Sequence, residues 1–365
     1  MINYYELGKS RQINQIVFAG THDAGITSGG SGVQTQNLDI GEQATAGVRF
    51  FDIRIAAAIT SEKHETGRPV AELRAFHADD KVVFKFDRTA MLKGDPHRMS
   101  QGGQQAIQVK QSKLAGGAFG LALVAMLQQA RNFVHSDIGK TEFLMLKFDK
   151  CTNWKLIAET CVEVLGLALY TGGGNLNTKT LENLAGKVIV LFSSKGLTKL
   201  QQASWDHRGI LGFKNLSGEG QNYTSDYQGL QYYGKGGTSP FNPSDKLNQN
   251  IKKQTKLIQG AAALQNPEVV GMMYWTTTGL IESIKKRDDG MWSSPNISTM
   301  KSMWGQCLGD FVDERMTLKS TNALANGQQR RSFFPNIVMI DFADDKKCKD
   351  IRELNDLTAS QLANV

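Results

Sequence analysis

Long apolar runs are missing from this chain. The longest, such as the stretch from Phe119 to Leu127, fall well short of the ~20 residues a membrane helix needs, so no transmembrane segment is expected. The start, Met1 to Arg11, also lacks the charged-then-apolar pattern of a secretory leader. The chain is therefore expected to be secreted or delivered outside the cell by a route without such a leader, to be cytosolic, or to be supplied already trimmed. Cysteine is scarce, and Cys151, Cys161, Cys307 and Cys348 show neither CxxC nor Cys/His ligand spacing. That speaks against a structural zinc site and indicates no disulfide. Basic runs are short too: Lys285-Lys286-Arg287 is the longest, and Asp288-Asp289 follows it directly, the pattern of a solvated face. No internal repeat and no linker composition divides the chain.

What is present allows an ordinary globular protein. With 40% of its 365 residues hydrophobic, the chain can bury a large core. A net charge of +7 favours anionic partners, whether a membrane surface, nucleic acid or a phosphorylated substrate. Short apolar, β-branched and aromatic runs predict strands at Ile16 to Ala19, Val48 to Ile55, Leu73 to His77, Glu142 to Asp149, Lys187 to Phe192, Leu230 to Tyr233, Val269 to Thr276 and Asn336 to Phe342. Phe119 to Val134 and Trp154 to Leu165 read as helices. Eight strands, apolar on both faces with helices between them, predict a parallel sheet closed into a (β/α)8 barrel: an irregular, TIM-like α/β domain spanning 1–365. Polar or Gly-, Ser-, Asn- and Tyr-rich segments at about 60–71, 85–115 and 196–265 are expected as insertions on its rim.

Chemistry gathers at the predicted strand ends. Gly20-Thr21-His22-Asp23-Ala24-Gly25 puts His22 and Asp23 after the first strand. Gly47-Val48-Arg49-Phe50-Phe51-Asp52-Ile53-Arg54 puts Asp52 and Arg54 late in the second, and His77, Asp149 and Asp341 close the third, fourth and last. In a parallel barrel these are the carboxyl ends, where reactive groups collect. Two histidines, an arginine and aspartates so placed can take a proton, return one and hold a phosphate between them. His64, His97, His135 and His207 sit in no such motif and read as surface residues.

Those two motifs, with His77, the Glu142-x-x-x-Leu146 strand and Ala185 to Val190, resemble the X-region barrel of bacterial phosphatidylinositol-specific phospholipase C. The similarity runs from about residue 11 to 192 and again over Asn336 to Phe342. It implies metal-independent cleavage of the phosphodiester to diacylglycerol and inositol 1,2-cyclic phosphate. In the roles it implies, His22 is the general base, oriented by Asp341. A neutral imidazole with its ordinary value of ~6.5 suits that task. Arg54 binds the non-bridging phosphate oxygens, where a planar fork of donors serves better than a lysine. His77, partnered by Asp23, is the acid for the leaving oxygen.

The same resemblance implies no metal and no other cofactor. The calcium-dependent branch carries an acidic ligand where Arg54 stands, and a cation ~4 Å from a guanidinium is repelled by several kcal/mol at an effective dielectric of ~20. Asp149 departs from the pattern, since the metal-independent enzymes carry a basic residue there. It is expected to pair with Arg54 or Lys147, or to bind an inositol hydroxyl. Asp52 either positions Arg54 or touches substrate. Asp52, Lys147, Asp149, Lys195, Asp226, Tyr227 and Tyr232 form the candidate substrate-binding set, and Trp292 reads as core or as an anchor on the rim. The implied partner is phosphatidylinositol or a related phospholipid at a membrane surface, with no nucleic acid and with the chain a monomer. Two other readings stand beside this one: a phosphodiesterase with the same apparatus but another head group or a soluble diester, and a non-catalytic barrel that binds anionic lipid.

Overall fold

Alternation of side chains along eight short strands builds a two-layered core. The computed structural model describes residues 2–63, 65–77, 118–200, 205–218, 222–234, 236, 249–250, 253–254, 266, 268–276, 283–292 and 336–355, and the backbone of 84–87, 91–92, 106–109 and 356–363. In chain order the first strands are β1 (Phe18–Thr21), β2 (Val48–Ile53), β3 (Ile55–Lys63), β4 (Pro69–His77), β5 (Phe84–Asp87), β6 (Met91–Leu92), β7 (Ala106–Val109) and β8 (Ala118–Ala122). They are followed by β9 (Phe143–Phe148), β10 (Lys187–Ser193), β11 (Ile210–Asn215), β12 (Gly229–Gly234), β13 (Val270–Tyr274) and β14 (Ile337–Ile340). Strands β1, β14, β13, β12, β11, β10, β9 and β2 pair in that order, all parallel, and β2 closes on β1. This is the expected barrel.

Period-two alternation sorts each strand. Phe18, Phe50, Met145, Leu191, Met272 and Met339 point inward and pack as one buried cluster. Their neighbours Ala19, Phe51, Leu146, Val190, Met273 and Val338 face outward into a second cluster. There they meet Met126, Leu127, Ile157 and Ala158 of the helices Leu123–His135 and Trp154–Leu165. Both faces being buried explains why the strands read as continuous apolar runs.

The remaining strands form a second sheet, ordered β5-β7-β3-β4-β6, with β8 pairing β4. Three expectations change here. Leu73 to His77 is a strand, but it belongs to this sheet and not to the barrel. Segment 60–71 is the turn region of the β3–β4 hairpin and not a plain rim insertion, and 85–115 contributes β5, β6 and β7. Residues 119–122, expected to open a helix, instead extend as part of β8 before the helix starts at Leu123. A fourth change concerns 196–265, expected as loop around one strand at Leu230 to Tyr233: that strand is β12, and the segment carries a further barrel strand, β11. Strand β11 is interrupted by Gly212, and β12 opens on Gly229, where a β-carbon would lie 1.9 Å from the Gly212 carbonyl oxygen. Glycine weakens strand patterning, but this close crossing requires it. Cys151, Cys161 and Cys348 are buried free thiols, and Cys307 lies outside the described residues.

Candidate active site

The inward series of each barrel strand turns polar at its carboxyl end. Phe18 and Gly20 lead to His22, Phe50 leads to Asp52 and Arg54, Phe143 and Met145 lead to Lys147 and Asp149, and Ile337 and Met339 lead to Asp341. Because the strands are parallel, all these residues arrive at one end of the barrel. His77 arrives by another route. The β3–β4 hairpin begins directly after Arg54 and returns antiparallel with Ile55 opposite Ala75, so the end of β4 passes back over Arg54. The Phe76 amide donates to the Arg54 carbonyl at 3.0 Å. The glycines that bracket the first motif serve close approach. A β-carbon on Gly20 would lie 2.5 Å from Met339 Sδ, and one on Gly25 would lie 2.5 Å from Ala75 Cβ. So the turn after β1 lies tight against β4, and Asp23 reaches His77.

Asp23 joins the cluster. Its Oδ2 accepts from His77 Nδ1 at 2.7 Å and lies 3.6 Å from His22 Nε2, while Oδ1 lies 3.0 Å from Arg54 Nε. His22 Nδ1 faces Asp341 Oδ1 at 3.2 Å. A carboxylate only accepts, so each Nδ1 carries its proton toward its own aspartate. Asp23 holds a left-handed backbone with φ +45°, which aspartate tolerates better than most residues. Thr35 Oγ1 donates to the Asp23 carbonyl at 2.9 Å. Gln36 bridges both strands that carry the His22–Asp341 pair: Nε2 donates to the carbonyls of His22 at 3.1 Å and Ile340 at 3.3 Å, and Oε1 accepts from the Ala343 amide at 3.0 Å.

Electrostatics sharpen the division. Burial opposes a charge on His22, but the Asp23 carboxylate and the hydrogen bond to Asp341 outweigh it and push the imidazole up to about 9. The free site therefore holds His22 as imidazolium at neutral pH, which differs from the ordinary histidine value assumed from the sequence. Burial alone would raise Asp23, yet Arg54, His22 and His77 hold it well below the usual carboxylate range. Burial raises Asp341 despite His22. The Asp23 charge raises Arg54, overcoming burial.

A second ion pair lies one layer deeper. Lys147 Nζ donates to Asp52 Oδ1 at 2.9 Å and lies 4.0 Å from Asp149 Oδ2, and it sits 4.9 Å from the Phe213 ring centre. Burial opposes its charge, but Asp52 leads the groups that hold Lys147 well above its ordinary value. Asp52 is thus tied to Lys147 across the β2–β9 register, rather than acting as the direct partner of Arg54. Tyr232 is buried on the same interior, its ring 6.3 Å from that of Phe213. Tyr274, which the sequence reading passed over, stands edge-on to His22 with ring centres 6.3 Å apart. Its inward place two residues after Met272 was the available signal.

Three expected contacts do not join this cluster. Asp226 is exposed and Tyr227 half-buried just ahead of β12, at the amino end of the barrel, because the residues before a parallel strand lie opposite those after it. Tyr227 packs on Gly212 instead. Lys195 is exposed on the helix Ser194–Lys199, at the site's end of the barrel but outside the buried set. Trp292 is buried in the outer core, which removes it as a rim anchor. His135 and His207 are exposed, and His64 and His97 lie outside the described residues.

No family model matches this chain, and no curated protein matches it. Solved structures are similar to it over most of its length. A phosphatidylinositol-specific phospholipase C from Listeria monocytogenes is 13% identical, the match covering 95% of each chain at a TM-score of 0.47. A double mutant of the phosphatidylinositol-specific phospholipase C from Staphylococcus aureus is 14% identical over 94% of this chain and 93% of its own, at 0.49. A calcium-dependent phosphoinositol-specific phospholipase C from a Gram-negative Pseudomonas is 13% identical over 74% of this chain and 85% of its own, at 0.39.

Proposed function

We propose that this chain is a phosphatidylinositol-type phospholipase C that cleaves a phosphodiester without a metal ion. The observation that carries the reading is two histidines, each with its own aspartate, gathered with one arginine: His22 with Asp341, His77 with Asp23, and Arg54 3.0 Å from Asp23. A binding module needs no separate proton acceptor and donor around a cation, whereas in-line phosphoryl transfer needs both.

In this mechanism His22 Nε2 takes the proton of the inositol 2-hydroxyl, whose oxygen attacks phosphorus. The bond from phosphorus to the glycerol oxygen breaks, and His77 Nε2 supplies the proton to that oxygen. The products are diacylglycerol and inositol 1,2-cyclic phosphate. The Nε of Arg54 faces Asp23, leaving the terminal nitrogens of the guanidinium to grip the non-bridging oxygens as they gain charge. Asp341 and Asp23 stabilise the imidazolium that forms on His22, the same pairing that raises its resting value. Metal independence rests on charge: Arg54 stands beside Asp23, and Lys147 occupies Asp52, so two fixed cations fill the carboxylate cluster a divalent ion would need. Head-group contacts fall to Asp52, Lys147, Asp149 and Tyr232.

Phosphatidylinositol vesicles incubated with the protein in EDTA, with products followed by phosphorus NMR, test the proposal. A cyclic phosphate is expected, and His22→Ala and His77→Ala each reduce turnover by about 10²- to 10⁴-fold. Activity that disappears with EDTA overturns the metal-free mechanism. Turnover only of a different diester moves the assignment to another head group, and intact turnover in both alanine variants removes the histidines from the chemistry.

A further inference from the structure

Asp341 ends β14 at a backbone reversal. The next residue, Phe342, has φ +46°, a left-handed conformation that costs a bulky side chain and persists only where its surroundings enforce it. Lys347, in the helix that follows, supplies that enforcement. Its side chain is 9% exposed, and its ammonium donates to the carbonyls of Asp341 at 3.0 Å and Phe342 at 2.9 Å and to Asp288 Oδ2 at 2.5 Å. The three N–H bonds of the ammonium are thereby matched by three acceptors. A buried lysine is costly to keep, and here two of its three contacts are spent on backbone flanking the Asp341 side chain.

Asp288 belongs to the helix Ile284–Met291, which is tied to the loop after β1 where the Ile284 amide donates to the Ser31 carbonyl at 2.8 Å. That loop returns to the site, since the Phe342 amide donates to the Thr35 carbonyl at 2.7 Å. We propose that Lys347, anchored by Asp288, is a positioning residue that fixes the turn after β14 and so holds the Asp341 carboxylate on His22 Nδ1. The inference deepens the proposed phospholipase reading and rests on its assignment of His22 and Asp341.

The groups around these side chains define what a test reads. His22 faces Asp23, Asp341, Arg54 and the Tyr274 ring. Asp341 faces His22, Asp23 and Lys347. Asp288, raised to about 7 by burial against the pull of Lys347, also faces Asp341 and Lys285. Lys347 lies 5.5 Å from the Trp292 ring centre.

Removing a cation near His22, with nothing else changed, makes its imidazole easier to protonate. Releasing Asp341 from His22 does the opposite. The double variant Asp288→Asn with Lys347→Met keeps the buried pocket neutral, so it avoids the penalty of an orphaned charge. NMR titration of His22, assigned through His22→Gln, is expected to show its midpoint falling by about one pH unit or more in the double variant. With phosphatidylinositol vesicles, kcat on the plateau of the pH profile, where His22 is neutral in both forms, is expected to fall by about tenfold or more while KM stays within about threefold. Asp288→Asn alone keeps the lysine and its two carbonyl contacts, and its His22 midpoint stays near the wild-type one. A midpoint unchanged or raised in the double variant overturns the proposal, as does a fall of equal size in Asp288→Asn. The titration needs no substrate, so an inactive wild type would strike the phospholipase reading while leaving this one to be judged by the NMR arm.

Discussion

His22 has carboxylate oxygens at 3.2 Å and 3.6 Å on its two ring nitrogens, and these outweigh the opposition of burial and of Arg54. At a midpoint of about 9 the neutral ring is roughly 1% of the population at pH 7 and roughly 10% at pH 8. A base must be neutral to accept a proton, so the His22 contribution to kcat/KM is expected to climb by nearly tenfold per pH unit from about pH 6 to about pH 8 and to level off once His22 is deprotonated. Asp341→Asn removes one of the groups that raise His22. Its rising limb is therefore expected at lower pH, with a lower plateau because the ring is less well oriented. Profiles measured on a monomeric substrate check both. A rising limb that stays at the wild-type pH in Asp341→Asn would remove His22 as the base.

At the scale of elements, the site depends on a junction between two sheets. The barrel delivers His22, Arg54 and Asp341, but β4 of the second sheet delivers His77. The sheets meet where β8 crosses the turn after β1: the Leu121 amide donates to the Gly25 carbonyl at 2.9 Å, and a β-carbon on Gly120 would lie 1.9 Å from that oxygen. Arg74 of β4 donates from Nε to the Gly120 carbonyl at 3.0 Å, so a shift of β8 passes to the strand that ends in His77. Gly120→Ala is expected to reduce kcat by about 10²-fold, the scale of an ångström-sized misplacement, while circular dichroism and the melting temperature show the barrel little changed. Full activity in that variant would show that the junction tolerates displacement.

This junction also marks the boundary of what the sequence discloses. Strand-end residues such as His22, Arg54 and Asp341 were readable because an apolar run of period two turns polar where a parallel strand ends. The sheet to which Leu73 to His77 belongs was not, since periodicity identifies a strand and leaves its partner open. Strand β11 was hidden by Gly212, and the places of Asp226 and Tyr227 were misread because the strand they precede had only a weak signature. Gln36 and Lys347 act on backbone carbonyls, and contacts of that kind leave no pattern in side-chain spacing.

Taken as a whole, the chain carries 42 lysines and arginines against 35 acidic residues, an excess of +7. That excess does not reside in the site: Arg54, Lys147 and protonated His22 stand against Asp23, Asp52, Asp149 and Asp341, leaving the cluster near neutral. The surplus is therefore distributed over the rest of the molecule. There it attracts an anionic surface through solvent and is screened beyond a Debye length of ~10 Å at 0.1 M salt. Partly buried pairs at 2.7 to 3.2 Å, such as His77–Asp23 and His22–Asp341, are screened less. Two salt dependences should then separate. Sedimentation with phosphatidylinositol-containing vesicles is expected to show binding that weakens several-fold as sodium chloride rises from about 0.05 M to about 0.5 M. Turnover of a short-chain, fully dissolved substrate over the same range is expected to change by less than about twofold, because the surface field no longer delivers a membrane and the local ion pairs persist. Vesicle binding indifferent to salt would mean that the basic surface does not bring the chain to lipid, and an apolar contact would have to take its place.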